Sequence, residues 1–235
     1  MYQTIFRRYE KKYLLNQEQY ENFLKILSYN TVPDKYGSST VCNIYYDTPD
    51  YRLIRASIEK PIYKEKLRLR TYCVPQDGES CFLELKKKYR GVVYKRRIKA
   101  TYTDGLSYMS GYSDTLNGSQ IENEISYFRD FYSSLVPSMN IFYNRIAYYD
   151  RIDPNTRFTF DSNIIYRNYD TDLRSGIYGK KIFNGNIYLL EIKTAFSIPI
   201  WVTEMLSELK IFPVSFSKYG TAYINTVKNG GGHCA

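Results

Sequence analysis

The chain has 235 residues, with 33 Lys and Arg against 24 Asp and Glu, a formal charge of +9. That balance points to an anionic partner (nucleic acid, an acidic membrane surface or a phosphorylated small molecule), and a 43% hydrophobic content provides for a sizeable core. A single histidine, His233, and four cysteines without a CxxC pair argue against a zinc site or a Cys/His nucleophile. No apolar stretch approaches the ~20 residues that span a bilayer, and Met1 leads straight into Arg7, Arg8 and Glu10, so a cytoplasmic protein without a secretory signal or transmembrane segment is expected.

In chain order, residues 9–14 read as a short strand. Asn16 is placed to cap a helix running to about Leu27, with Tyr20, Phe23, Leu24 and Leu27 on one face. A strand at 40–47 and a short helical or irregular piece at 50–58 follow. Strands near 64–73, 80–89 and 92–102 come next, joined by turns at Gln76-Asp77-Gly78 and Arg90-Gly91. Gly105, Gly111, Asn117 and Gly118 suggest a loose connection over 105–118, before a helix at 119–135 with Ser119 as its cap. Strands near 140–150, 156–168 and 186–195, a helix opened by Pro199 and running to about Leu209, and a last strand over 213–225 complete the pattern. The 27 Tyr and 12 Phe also favour strands. With no internal repeat or long linker, one domain over 1–228 and a Gly-rich tail over 229–235 are expected. The fold class is α+β, mainly β: a closed antiparallel barrel of about eight strands with helices packed outside.

Alternate side chains of a strand point to opposite faces. Lys66, Arg68, Arg70 and Tyr72 therefore oppose Leu67 and Leu69. Glu84, Lys86 and Lys88 oppose Leu83 and Leu85, and Tyr143 and Arg145 oppose Ile146. Arg157, Thr159 and Asp161 oppose Phe158 and Phe160, and Glu191 and Lys193 oppose Leu190 and Ile192. One reading is an ordinary sheet with its polar face in water. The other turns the charged faces inward, making a basic tunnel that needs hydration, internal carboxylates such as Glu10, Glu84, Glu191 and Asp161, or a bound anion. The planar fork of Arg suits phosphate oxygens. Carboxylates among cations bind phosphate poorly; holding Mg²⁺ or Mn²⁺ gives them a task. Glu84 is also placed simply to neutralise Lys86 or Arg70. Lys95, Arg97 and Lys99 share one face, at a tunnel mouth or on a solvated stripe.

These residues fall in a known order: Arg8-Tyr9-Glu10-Lys11-Lys12-Tyr13, Asn43-Ile44-Tyr45-Tyr46-Asp47-Thr48, Leu67-Arg68-Leu69-Arg70, Leu83-Glu84-Leu85-Lys86, Tyr143-Asn144-Arg145, Arg157-Phe158-Thr159-Phe160-Asp161, Leu190-Glu191-Ile192-Lys193 and Phe216-Ser217-Lys218-Tyr219. The chain resembles the catalytic domain of the vacuolar transporter chaperone (VTC) polyphosphate polymerases in its shorter bacterial form, within the triphosphate tunnel metalloenzymes, or CYTH superfamily. The resemblance implies that Arg68, Arg70, Lys86, Arg145, Arg157 and Lys218 serve catalysis and that Lys12, Tyr143, Lys193 and Lys88 contact substrate phosphates. It also implies that Glu191, with Glu10 and Glu84 as further candidates, holds Mn²⁺ or Mg²⁺. The implied activity transfers the terminal phosphoryl group of ATP to a growing inorganic polyphosphate chain, with no nucleic-acid partner and with any membrane part supplied by a separate protein at the inner membrane face. Two departures stand out. Arg8 replaces the first Glu of the Glu-x-Glu-x-Lys strand of the hydrolase and cyclase branches, and Ser215 stands where the eukaryotic polymerases have Lys. A triphosphatase, a non-catalytic polyphosphate-binding module and a nucleic-acid-binding barrel are the competing readings.

Overall fold

The structure is a computed structural model that describes residues 9–90 and 92–230. Its strands are β1 (Tyr9–Leu15), β2 (Thr31–Pro33), β3 (Ser39–Asp47), β4 (Tyr63–Thr71), β5 (Ser80–Tyr89), β6 (Val92–Thr101), β7 (Val136–Asp150), β8 (Arg157–Arg167), β9 (Lys180–Lys181) and β10 (Tyr188–Thr194). Its helices are α1 (Gln17–Asn30), α2 (Arg52–Ile58), α3 (Tyr102–Met109), α4 (Gln120–Tyr132), α5 (Ile200–Glu208) and α6 (Lys218–Gly230). The strands form a ten-stranded sheet in the order β1-β10-β8-β7-β3-β4-β5-β6, with β2 on β7 and β9 on β8. Its printed pairings are antiparallel. The order ends at β1 and β6, so among the described residues hydrogen bonds do not close the barrel expected from the sequence. The β6 edge carries Lys95, Arg96, Arg97 and Lys99, charges of the kind that discourage further strand pairing.

The chain divides into two compact units. The first takes in residues up to Thr40, Tyr143–Ile164 and Phe183–Ser217; the second takes in Val41–Phe142, Ile165–Ile182 and the chain from Lys218 onward. In the first, Tyr13, Leu190 and Phe160 lie side by side on β1, β10 and β8. They join Phe23 and Leu27 of α1 and Val202, Met205 and Leu206 of α5 in one apolar core. Helix α1 starts where the sequence places it: the Asn16 side chain accepts from Gln19 N while the Gln19 side chain accepts from Asn16 N, a reciprocal capping box. In the second unit, Leu67 and Leu69 of β4 and Leu83 and Leu85 of β5 pack with Tyr102, Tyr108, Ile125 and Phe128 of α3 and α4. Each core lies on the apolar face of its strands, which leaves the charged face opposite.

Two expected elements differ. The loose connection over 105–118 begins inside α3, whose start is set by Thr101: its side chain accepts from Asp104 N. The glycine that argued for a loop, Gly105, is there because of close approach, since a Cβ at this position would stand 2.6 Å from Cys81 Sγ and 3.2 Å from Leu69 Cδ1. The last strand, over 213–225, is replaced from Lys218 onward by α6. Thr221, Tyr223, Ile224, Thr226 and Val227 favour strand, but Tyr219 and Ala222 are buried at helical spacing and the Tyr223 ring lies 5.1 Å from that of Tyr51, so packing overrides propensity. The helix expected over 119–135 forms over Gln120–Tyr132, where the Ser119 side chain accepts from Glu122 N, and the one opened by Pro199 forms over Ile200–Glu208, where Pro199 holds the N-cap position without a side-chain hydrogen bond. The calls on Arg8, Gly91, His233 and Cys234 lie outside the described residues.

Gly105→Ala is expected to lower stability by about 1–3 kcal/mol through overpacking, although alanine is the better helix former. A urea denaturation midpoint unchanged or raised by this substitution would contradict the close approach.

Candidate functional site

Strand pairing in the second unit lays out a cation-rich face in ranks. Tyr45, Arg68, Glu84 and Arg97 are direct neighbours across β3, β4, β5 and β6. The next ranks hold Asn43, Arg70, Phe82 and Lys99 on one side and Lys66, Lys86 and Lys95 on the other, followed by Lys64 opposite Lys88. Like charges directly opposite one another are unfavourable. Here β4 contributes Lys64, Lys66, Arg68 and Arg70, β5 contributes Lys86 and Lys88, and β6 contributes Lys95, Arg97 and Lys99.

Among the described residues of β4, β5 and β6, the carboxylate on this face is Glu84, 1% exposed. Arg68 donates from Nε to Glu84 Oε2 at 2.8 Å, with its NH2 at 2.7 Å. Arg70 Nε lies 3.7 Å from the same oxygen. Lys95 Nζ and Arg97 Nε both reach Oε1 at 2.8 Å. Burial raises the Glu84 pKa, but Arg68, Arg70 and Lys95 outweigh it and hold the carboxyl well below its usual range. Desolvation, with Arg68 and Arg70, pushes Lys95 down to about 7 against the pull of Glu84. The Lys95 side chain is 44% exposed, and water screens part of that push.

The corresponding face of the first unit is balanced. Lys12 of β1 sits opposite Glu191 of β10, and Glu10 opposite Lys193. Lys12 Nζ lies 3.4 Å from Glu10 Oε1 and 3.5 Å from Glu191 Oε1. It also donates to the Phe216 carbonyl at 3.1 Å. Lys193 Nζ donates to Glu191 Oε2 at 3.0 Å, and Arg145 NH2 approaches the same oxygen at 3.8 Å. Arg145 also grips Asp161 with both prongs, at 2.6 and 2.7 Å, while its guanidinium lies 5.1 Å from the Tyr143 ring centre. Burial pulls the Arg145 pKa down, but Asp161, Tyr143 and Glu191 raise it well above the ordinary value. Arg157 donates from NH2 to Asp34 Oδ2 at 2.8 Å, and its Nε is buried with no acceptor among the described residues. The Asp34 partner carries no periodic signal, since it follows Pro33 at the end of β2, which explains why sequence reasoning passed over it.

The structure thus gathers Lys12, Glu10, Glu191, Lys193, Arg145 and Tyr143 in one cluster, with Arg157 engaged by Asp34. It gathers Arg68, Arg70 and Glu84 in another, with Lys86 and Lys88 in neighbouring ranks. Lys218 is buried at the start of α6, not on a strand. Among the described residues no three His, Cys, Asp or Glu side chains form a group that holds a metal unaided. Glu10 and Glu191, which share the Lys12 ammonium, fit a hard divalent ion that brings phosphate oxygens as its other ligands. Glu84 fits less well, because Arg68, Lys95 and Arg97 hold its two oxygens at 2.7, 2.8 and 2.8 Å, closer than the 3.0–3.8 Å cation contacts of Glu191. The neutralising role suits it.

The chain belongs to the VTC domain family, whose pattern matches residues 7–226. No curated protein matches it in sequence. Among solved structures it is similar to a putative adenylate cyclase from Bacillus halodurans, with TM-score 0.56 and 13% identity over 91% of this chain and 94% of that one. It is also similar to a putative adenylyl cyclase from Hippeastrum reported to reveal a dominant triphosphatase activity, with TM-score 0.50 and 18% identity over 94% and 95% of the two chains. These likenesses establish the fold.

Glu84→Gln leaves the guanidiniums and ammonium of its neighbours without their carboxylate and is expected to destabilise the protein by about 3–5 kcal/mol. Part of that loss should return when inorganic tripolyphosphate is added during denaturant unfolding. No loss, or no recovery, would contradict the charge arrangement. The lowered Lys95 value has a second consequence. Between about 7 and 10.5 the unfolded chain holds a proton that folded Lys95 has lost, so this group's contribution to stability rises with pH across that window. A bound polyanion favours the protonated form, so tripolyphosphate binding just above that lower value should take up protons, and Lys95→Met should abolish the uptake. Calorimetry in buffers of different ionisation heat measures it.

Proposed function

We propose that the protein is an ATP–polyphosphate phosphotransferase, dependent on Mn²⁺ or Mg²⁺, that moves the terminal phosphoryl group of ATP onto a growing inorganic polyphosphate chain. The observation that carries this reading is the set of same-sign ranks on β4, β5 and β6, where among the described residues the carboxylate on this face is Glu84. A linear polyanion relieves such repulsion along its whole length, as a compact monoanion does not. Membership of the VTC domain family supports the same substrate class.

In the transfer, a terminal oxygen of the polyphosphate chain forms a bond to the γ-phosphorus of ATP. The bond from that phosphorus to the bridging oxygen breaks, and ADP leaves with the electron pair. Little covalent work falls to the protein, and positioning and charge neutralisation dominate. Arg68, Arg70 and Lys86, with Lys88 beside them, would hold phosphates on the second unit's face. Arg145, Arg157, Lys12 and Lys193 would do so in the first, where Arg157 Nε is a buried donor with no acceptor among the described residues. Tyr143 would pack beside Arg145 and the phosphates, and Lys218 would add its charge at the start of α6. Glu191 with Glu10 would hold the metal, which supplies further neutralisation of phosphate charge when bound.

A triphosphatase is the second reading, favoured by the activity reported for the Hippeastrum protein of similar fold. No helix of the described residues is long and apolar enough to cross a membrane.

Purified protein given ATP and Mn²⁺, with and without a short polyphosphate primer, is expected to yield a polyphosphate ladder and ADP. Arg70→Ala and Glu191→Gln should each lower the rate roughly 100-fold. Free phosphate without polymer would replace the polymerase reading with the triphosphatase one.

A further inference from the structure

The Asn43–Thr48 stretch has no part in the function derived above, yet it lies at the centre of the second unit. Every residue from Val41 to Asp47 on β3 is buried. Cys42, Ile44 and Tyr46 point into the apolar core. Their neighbours Asn43, Tyr45 and Asp47 therefore share the opposite face. Buried polar groups need partners, and the partners of these three are specific.

Asn43 Oδ1 accepts from Arg70 Nε at 3.1 Å, while its Nδ2 is anchored on the Ile141 carbonyl at 2.9 Å. Tyr45 Oη accepts from Arg68 NH1 at 3.0 Å. Its ring stacks on that of Tyr219, with centroids 4.8 Å apart and planes 24° from parallel. Tyr219 in turn donates from Oη to Asp47 Oδ2 at 2.8 Å. Asp47 is itself fixed by Thr48 N and Leu53 N on Oδ1 and Ile54 N on Oδ2, at 2.9, 2.8 and 3.0 Å. Tyr219 follows Lys218 directly, and Lys218 is the first residue of α6.

We propose that β3 is a positioning strand: Asn43 aims Arg70, Tyr45 aims Arg68, and Asp47 through Tyr219 fixes the helix start that carries Lys218. Successive same-face positions stand about 7 Å apart on a strand, so three rigid anchors set the spacing of three cations on long, rotamer-rich side chains. Ordering those side chains before a ligand arrives removes part of the entropy cost of binding. None of the anchors need touch phosphate. They are positioning residues, and the inference rests on the phosphate-binding reading of the cations.

The test is a pair of double-mutant cycles read by calorimetric titration with inorganic tripolyphosphate. Tyr45→Phe keeps the ring stack and removes one acceptor, and Tyr219→Phe does the same for one donor. Each should weaken binding roughly 5- to 10-fold, the worth of one hydrogen bond to a charged or buried group. In Arg68→Ala protein the further effect of Tyr45→Phe should fall below about 2-fold, and in Lys218→Ala protein that of Tyr219→Phe should do the same. A merely structural role would give equal losses in both backgrounds. Equal losses, or none, overturn the positioning role. Wild-type protein that binds tripolyphosphate yet makes no polymer overturns the polymerase reading alone. Wild-type protein that binds none overturns both.

Discussion

The buried Glu84 carboxylate is the interaction on which the candidate site turns. Strand pairing fixes Arg68 and Arg97 on either side of it, and Arg70 and Lys95 reach it diagonally. Strand register leaves these side chains nowhere else to go, since a slip of one residue would drive Leu67, Leu69, Leu83 and Leu85 out of the core. The apolar core thus holds the cations in an arrangement that their own repulsion opposes. Glu84 offsets part of that repulsion, and the like-charged ranks beyond it suit a further anion.

The first unit solves the same problem differently. Lys12, Lys193, Arg145 and Arg157 each have a carboxylate within reach, from Glu10, Glu191, Asp161 and Asp34. Pairs of this kind roughly cancel the cost of burying their charges. They hold side chains in place more than they create a field. A ligand at this face must share partners already engaged, which suits a phosphate that arrives with a divalent ion: Glu10 and Glu191 would hold the ion while the cations hold the phosphate. Residue types that read alike in the sequence therefore differ in electrostatic role.

Fold likeness to putative cyclases, one of them reported as a triphosphatase, shows a scaffold able to host several reactions on phosphate chains. A polymerase and a triphosphatase differ in the acceptor at the terminal phosphorus, a polyphosphate oxygen in one and water in the other. Ser215, where a further lysine is expected in the eukaryotic polymerases, is exposed in this chain, so that phosphate contact has no local substitute at the same position.

Alternation with a period of two was enough to place Arg68 and Arg70 on one face, to set Glu84 beside them and to pair Glu191 with Lys193, because a strand leaves each side chain only two directions. Caps such as Asn16 and Ser119 were legible for a similar reason: they act within four residues. The sequence could not show that Glu84 is shared by four cations while Glu191 lies among three, since all of these partners but Lys193 come from another strand. Nor could it show that Thr221–Val227 coil into a helix, that Gly105 serves a close approach to Cys81, or that Asp47 reaches Tyr219 across 172 positions of chain. Local pattern determined which residues carry charge on which face; register and packing, which join distant segments, decided which charges meet.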